Sequence, residues 1–136
     1  MEQKQAVVFE LDNCMYGIDI MKVDEIIRMV NITPVPETDY FVEGIINLRG
    51  QVIPVINLCR KLGLNAREYS NDNRIIVTQS GDRKFGMIVD RVQEVGAYDD
   101  TELSSVDDVG IDDSVVHEIV KKEDCLWIIL DTESLR

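Results

Sequence analysis

Tyr16-Gly17-Ile18-Asp19-Ile20-Met21-Lys22-Val23-Asp24-Glu25-Ile26 returns later in the chain as Phe85-Gly86-Met87-Ile88-Val89-Asp90-Arg91-Val92-Gln93-Glu94-Val95, with no gap over eleven positions. Glycine, valine and glutamate are identical, and the aromatic, the Lys/Arg and three aliphatic positions agree in kind. A weaker echo follows. Val52–Leu62 matches Leu126–Arg136, each an apolar strand running into a short polar tail. The same order of elements in both halves is the mark of a duplicated unit.

Around these echoes the chain reads as short strands joined by turns. Ala6–Leu11 is an apolar run, Asp12-Asn13 a turn pair, and Cys14 opens a second run continuing through Met15–Ile20. Val23, Ile26 and Ile27 fall at helical or mixed spacing. Pro34 and Pro36 exclude a helix or a central strand there. Ile45–Leu48, Arg49-Gly50-Gln51 and Val52–Ile56 form a hairpin with glycine at its tip. Pro54 predicts an edge or a bulge for the second strand of that hairpin. Arg60–Leu62 before Gly63 suits one helical turn with a left-handed cap. The polar stretch 65–73 is the best candidate for a long surface loop. Arg74–Gln79, the turn at Ser80-Gly81-Asp82-Arg83 and Phe85–Val89 make another hairpin, and Val115–Val120 with Cys125–Leu130 a last one. Short period-two runs at this turn spacing predict an all-β barrel or sandwich, not an α/β fold.

A chain of 136 residues, 45% apolar and 29% charged, has enough apolar surface for the core of one ordinary domain or of two very small ones fused over a shared core. Asp and Glu outnumber Lys and Arg by 26 to 14, a formal net charge of −12. Such a surface repels phosphate backbones and anionic lipid heads, which argues against nucleic acid and against direct membrane binding. The stretch 99–113 alone carries seven acidic residues and no basic one. Met1–Gln5 is too polar to open a signal peptide, and the longest apolar run, Cys125–Leu130, falls far short of the roughly 20 residues that cross a bilayer. Cys14, Cys59 and Cys125 are odd in number and widely spaced, as expected of reduced thiols in a cytoplasmic protein.

No catalytic constellation emerges. His117 is the single histidine and stands in an apolar-polar alternation within an expected strand. Nucleophile elbows, phosphate-binding glycine loops and dinucleotide fingerprints are absent from the sequence. Asp107-Asp108-Val109-Gly110-Ile111-Asp112-Asp113 invites a calcium reading. With Gly110 at the sixth position of such a loop, however, Ser105 and Val109 fall where oxygen-rich ligands belong. No cofactor and no metal is expected. Two charged residues remain of interest, Glu25 among apolar neighbours and Arg49 at a hairpin tip. Each is simply solvated, or they form an ion pair that fixes one half of the fold against the other, or Arg49 faces a partner.

Tyr16–Ile20, Val23–Ile26, Pro36, the long run Gly44-Ile45-Ile46-Asn47-Leu48-Arg49-Gly50-Gln51-Val52-Ile53-Pro54-Val55-Ile56-Asn57-Leu58 and Phe85–Val95 together resemble the CheW family. The resemblance covers about Phe9 to Leu135. It implies two intertwined five-stranded OB-like barrels with a few short helices. Residues 1–136 would be a single CheW-like domain, with subdomains near 1–70 and 71–136 and strands exchanged between them. It also implies a cytoplasmic, non-enzymatic adaptor, a monomer by itself. Such an adaptor docks on the regulatory domain of the histidine kinase CheA and on the cytoplasmic tip of chemoreceptors. The positions matching the family's receptor groove are Val23, Glu25, Ile26, Gly44, Arg49, Ile75, Gly86, Val92 and Val95, with Glu25 and Arg49 as the paired acid and base. The chain departs from the family near His117–Lys122, where a glycine and small residues are common. A CheW-like adaptor of another two-component pathway is the next reading. An OB-like ligand binder or enzyme comes after that and would need a deep pocket holding a perturbed titratable group.

Overall fold

The computed structural model describes residues 3–104 and 114–135, and it is nearly all β. The elements run β1 (Lys4–Leu11), β2 (Cys14–Asp19), β3 (Val23–Arg28), β4 (Val42–Leu48), β5 (Gln51–Asn57), α1 (Leu58–Lys61), β6 (Arg74–Ser80), β7 (Arg83–Val89), β8 (Arg91–Tyr98), β9 (Leu103–Ser104), β10 (Val116–Lys121) and β11 (Leu126–Leu130). Asp12-Asn13 and Arg49-Gly50 both have positive φ at their two central residues, the two-residue turn whose twist suits a hairpin. The helical turn begins two residues earlier than expected, because Asn57 caps it by accepting the Arg60 N–H at 3.1 Å. Gly63, at φ +74, ends it.

Two sheets form, in the orders β8-β1-β2-β11-β10-β9 and β3-β6-β7-β5-β4. Each draws strands from both sides of the 65–73 loop. The two pairing schemes are the same. The β1–β2 hairpin, flanked by β8 and by β11 running parallel to β2, corresponds to the β6–β7 hairpin flanked by β3 and by β5 running parallel to β7. Gly17 stands opposite Ile129 in one parallel pair and Gly86 opposite Val55 in the other. These are the residues that the two sequence echoes bring into correspondence.

Each sheet closes on itself. The isolated bridge Thr33↔Ile45 ties the chain after β3 to β4, and the short pair β9–β10, with Ser104 opposite Ile119, does the same in the other sheet. That two-residue strand is why one sheet counts six strands and not five. The central strands then bury both faces, which explains runs such as Ala6-Val7-Val8-Phe9 that do not alternate. Ala6 and Val8 pack with Tyr98, Val120, Trp127 and Ile129 inside one barrel. Ile75 and Val77 pack with Ile46, Ile53, Val55 and Ile88 inside the other. The intervening residues Val7, Phe9, Leu11 and Ile76 turn the other way, into a third core shared between the barrels.

Two local expectations are corrected. Val23, Ile26 and Ile27 are not helical but lie in β3, where a bulge between Val23 and Glu25 interrupts the period of two. Of the edge or bulge expected at Pro54, the edge is not found, because β5 lies between β4 and β7. A bulge does lie next to it, where Val42 and Gly44 of β4 face Ile56 and Val55. The missing N–H of Pro54 is harmless because Pro54 faces Ile45 at a non-hydrogen-bonded site of the hairpin, one residue before the parallel pairing with β7 begins at Val55.

Candidate functional site

β3 and β4 are the outermost strands of their sheet, yet Arg49, on the turn after β4, reaches Glu25 on β3. Both guanidinium Nη atoms donate to the carboxylate, Nη1 to Oε1 at 3.2 Å and Nη2 to Oε2, a bidentate fork. The side chain of Arg49 is 67% exposed and that of Glu25 24%. The hydrogen bonds from Arg49 hold the Glu25 carboxyl below the usual range and raise the guanidinium in turn. The pair therefore joins the two margins of one barrel and does not fix one barrel against the other. Lys84 adds a second ion pair on the same strand, 3.2 Å from Asp24.

Gly44 lies at the β-bulge of β4, at φ +147, and a Cβ there would stand 2.1 Å from the Thr33 carbonyl oxygen. Glycine lets the closing segment cross the strand at that point. Ile75 is fully buried, and a Cβ on Gly86 would come within 2.7 Å of its Cγ2. Gly86 is buried too. These two residues support the rim from within the barrel and present nothing to a partner.

The remaining four positions form two corresponding pairs. Val23 and Val92 each pack, partly buried, against the shared core. Ile26 stands opposite Ile76, and Val95 opposite Val7, both partners being shared-core residues. Ile26 and Val95 thus lie on the faces turned toward the seam between barrels, yet are 39% and 53% exposed. Two exposed aliphatics, one on each barrel at the margin of a common seam, suit contact with an apolar partner surface.

The other barrel closes by different chemistry. Its position matching Gly44 is Glu118, which accepts from Lys4 at 2.7 Å and from Tyr98 at 2.6 Å. Burial opposes ionisation of Glu118, but these two hydrogen bonds outweigh it and hold the carboxyl below its ordinary value. Lys122 links Glu102 at 2.6 Å to the Ala97 carbonyl at 2.8 Å. Sequence reading did not assign these residues. The alignment of Val52 with Leu126, carried back without a gap beyond the echo itself, sets Glu118 at the position of Gly44.

Among the described residues no catalytic constellation is brought together. His117 is an exposed strand residue 3.9 Å from Glu118. An apolar cavity at the seam, of about 160 Å³, is lined by Tyr16, Leu62, Leu64, Ile128 and Leu130 among others. Burial pushes the Tyr16 hydroxyl up to about 12, so it stays protonated. Among the described residues no group of His, Cys, Asp and Glu is placed to hold a metal, and residues 107–113 lie outside them.

A duplicated pair of closed β-barrels with an apolar seam and an ion-paired rim defines a protein-binding module. The CheW-like domain family matches residues 5–136, and the chain belongs to that family. It is 36% identical to a chemotaxis protein CheW of Treponema pallidum, over 98% of this chain and 82% of that protein. It is 33% identical to one from Helicobacter pylori over the same shares. The crystal structure of the scaffolding protein TtCheW from Thermoanaerobacter tengcongensis superposes with a TM-score of 0.89 at 43% identity, covering 96% of this chain and 90% of that one. These relatives are chemotaxis and scaffolding proteins. No described helix is long and apolar enough to cross a membrane.

Proposed function

We propose that this chain is a chemotaxis adaptor that couples the histidine kinase CheA to the cytoplasmic tip of methyl-accepting chemoreceptors. The observation that carries this is its likeness, along nearly its whole length, to a scaffolding protein of the CheW family. The adaptor works in the cytoplasm, as a monomer until its partners assemble it. The receptor tip lies along the seam margin marked by Val23, Ile26, Val92 and Val95. Arg49, held by Glu25, stands beside it, while Gly44, Ile75 and Gly86 fix the strands beneath. The regulatory domain of CheA docks elsewhere on the barrels. No turnover is required, because coupling comes from holding kinase and receptor in one geometry so that receptor movements bias the kinase. Kinase autophosphorylation measured with receptor-tip fragments, with and without this chain, tests the proposal. The rate should respond to receptor only when all three are present. A response that does not depend on this chain would overturn it.

A further inference from the structure

Arg28 and Arg74 stand directly opposite each other where β3 pairs with β6. Like charges at that spacing repel, and a chain with 26 carboxylates has ample means to neutralise them. It does not. Arg74 spends Nη1 on two backbone carbonyls, Asn71 at 2.7 Å and Asn73 at 2.8 Å. Arg28 is exposed and makes no hydrogen bond or ion pair among the described residues. The two line a cavity of about 460 Å³ with Met29, Ser70, Asn71 and Asn73, none of them a carboxylate.

We infer that this notch is a docking site for a carboxylate side chain on an apolar segment of a protein partner. Charge complementarity selects an anion, since the notch is a cationic place on a strongly acidic protein. The free fork of Arg28 fits the two oxygens of one carboxylate. The neighbours select a protein over a small anion. Met29 lines the notch, Val30 beside it is 47% exposed, and Ile26 lies on the same sheet face as Arg28. An acidic residue on a segment running past Ile26 would reach Arg28 while its apolar neighbours cover Ile26 and Val30. This holds whether or not the partner is a receptor.

The probes are two fluorescein-labelled amphipathic peptides of about 15 residues. One has a leucine stripe with two Glu one turn apart; the other has Gln at those two places. Fluorescence anisotropy should show the Glu peptide binding at least about fivefold tighter, with the preference shrinking as salt rises to about 0.5 M. Arg28→Glu, whose side chain holds no structural bond, should abolish the preference, and Arg28→Lys should keep part of it. Equal binding of both peptides, no saturable binding of either, or a preference unchanged in Arg28→Glu would each overturn the inference. So would full displacement by millimolar inorganic phosphate, which would mark a simple anion site. Neither CheA nor receptor enters the experiment, so its failure would leave the adaptor proposal standing.

Discussion

Arg49 grips Glu25 from the far edge of the same sheet, so one bidentate ion pair spans the two strands that five-strand pairing leaves apart. The other barrel has Glu123 at the place of Arg49 and, among the described residues, no such pair. It closes through Glu118, Tyr98 and Lys4.

Reversing the pair separates closure from charge. Glu25→Arg and Arg49→Glu should each lower the melting temperature, because each sets like charges side by side. The double swap should recover most of that loss. Thermal melts by circular dichroism at low salt measure this, and a double swap as unstable as the sum of the singles would show the two residues act independently.

Two glycines of the same hairpin should respond differently to alanine. At Gly44 the added Cβ meets the Thr33 carbonyl as well as a glycine-favouring φ, so Gly44→Ala should cost about 3 kcal/mol or more. At Gly50, φ +83 with nothing within 4 Å, the cost should be about 1 kcal/mol. Urea unfolding of both variants gives the comparison.

Acid should loosen the barrel closed by Glu118. Its folded carboxyl is held below the ordinary 4.5, so its contribution is complete above that value and is lost as pH falls through the lowered one. Glu118→Gln should therefore be less stable than the parent near neutrality and lose less on acidification to about pH 3. Parallel pH profiles of melting temperature would contradict this.

The three thiols should divide two to one. Cys14 and Cys125 are exposed, whereas Cys59 is buried. Burial, with Asp90 beside it, pushes the Cys59 thiol up to about 12. A thiol reagent should titrate two groups rapidly in the native protein and the third only on unfolding.

Most of the fold was legible because its signals are local. Asp12-Asn13, Arg49-Gly50 and the 80–83 turn mark hairpins, and the echo of Tyr16–Ile26 in Phe85–Val95 fixes which strands correspond. β3 was obscured by its bulge. β8 was not read as a strand because it shows water mostly polar or isolated side chains and buries only Gly96 and Tyr98. Pro54 misled because its exclusion from central strands applies only where a ladder hydrogen bond is needed. For the site, the sequence named Glu25 and Arg49 but not what they join, since barrel closure is a relation between segments far apart in the chain. It could not separate Ile75, wholly inside, from Ile26, at the surface, because both stand in aliphatic strands.

The most direct test of the adaptor proposal is titration calorimetry of the purified chain against a CheA regulatory domain and, separately, a receptor-tip fragment from the same source. Folded Arg49→Glu is run beside the parent. Saturable binding of both partners at about micromolar Kd or tighter, with receptor binding weakened about tenfold or more in the variant and kinase binding retained, is the predicted result. Binding to neither partner would contradict the chemotaxis role while leaving the fold as described.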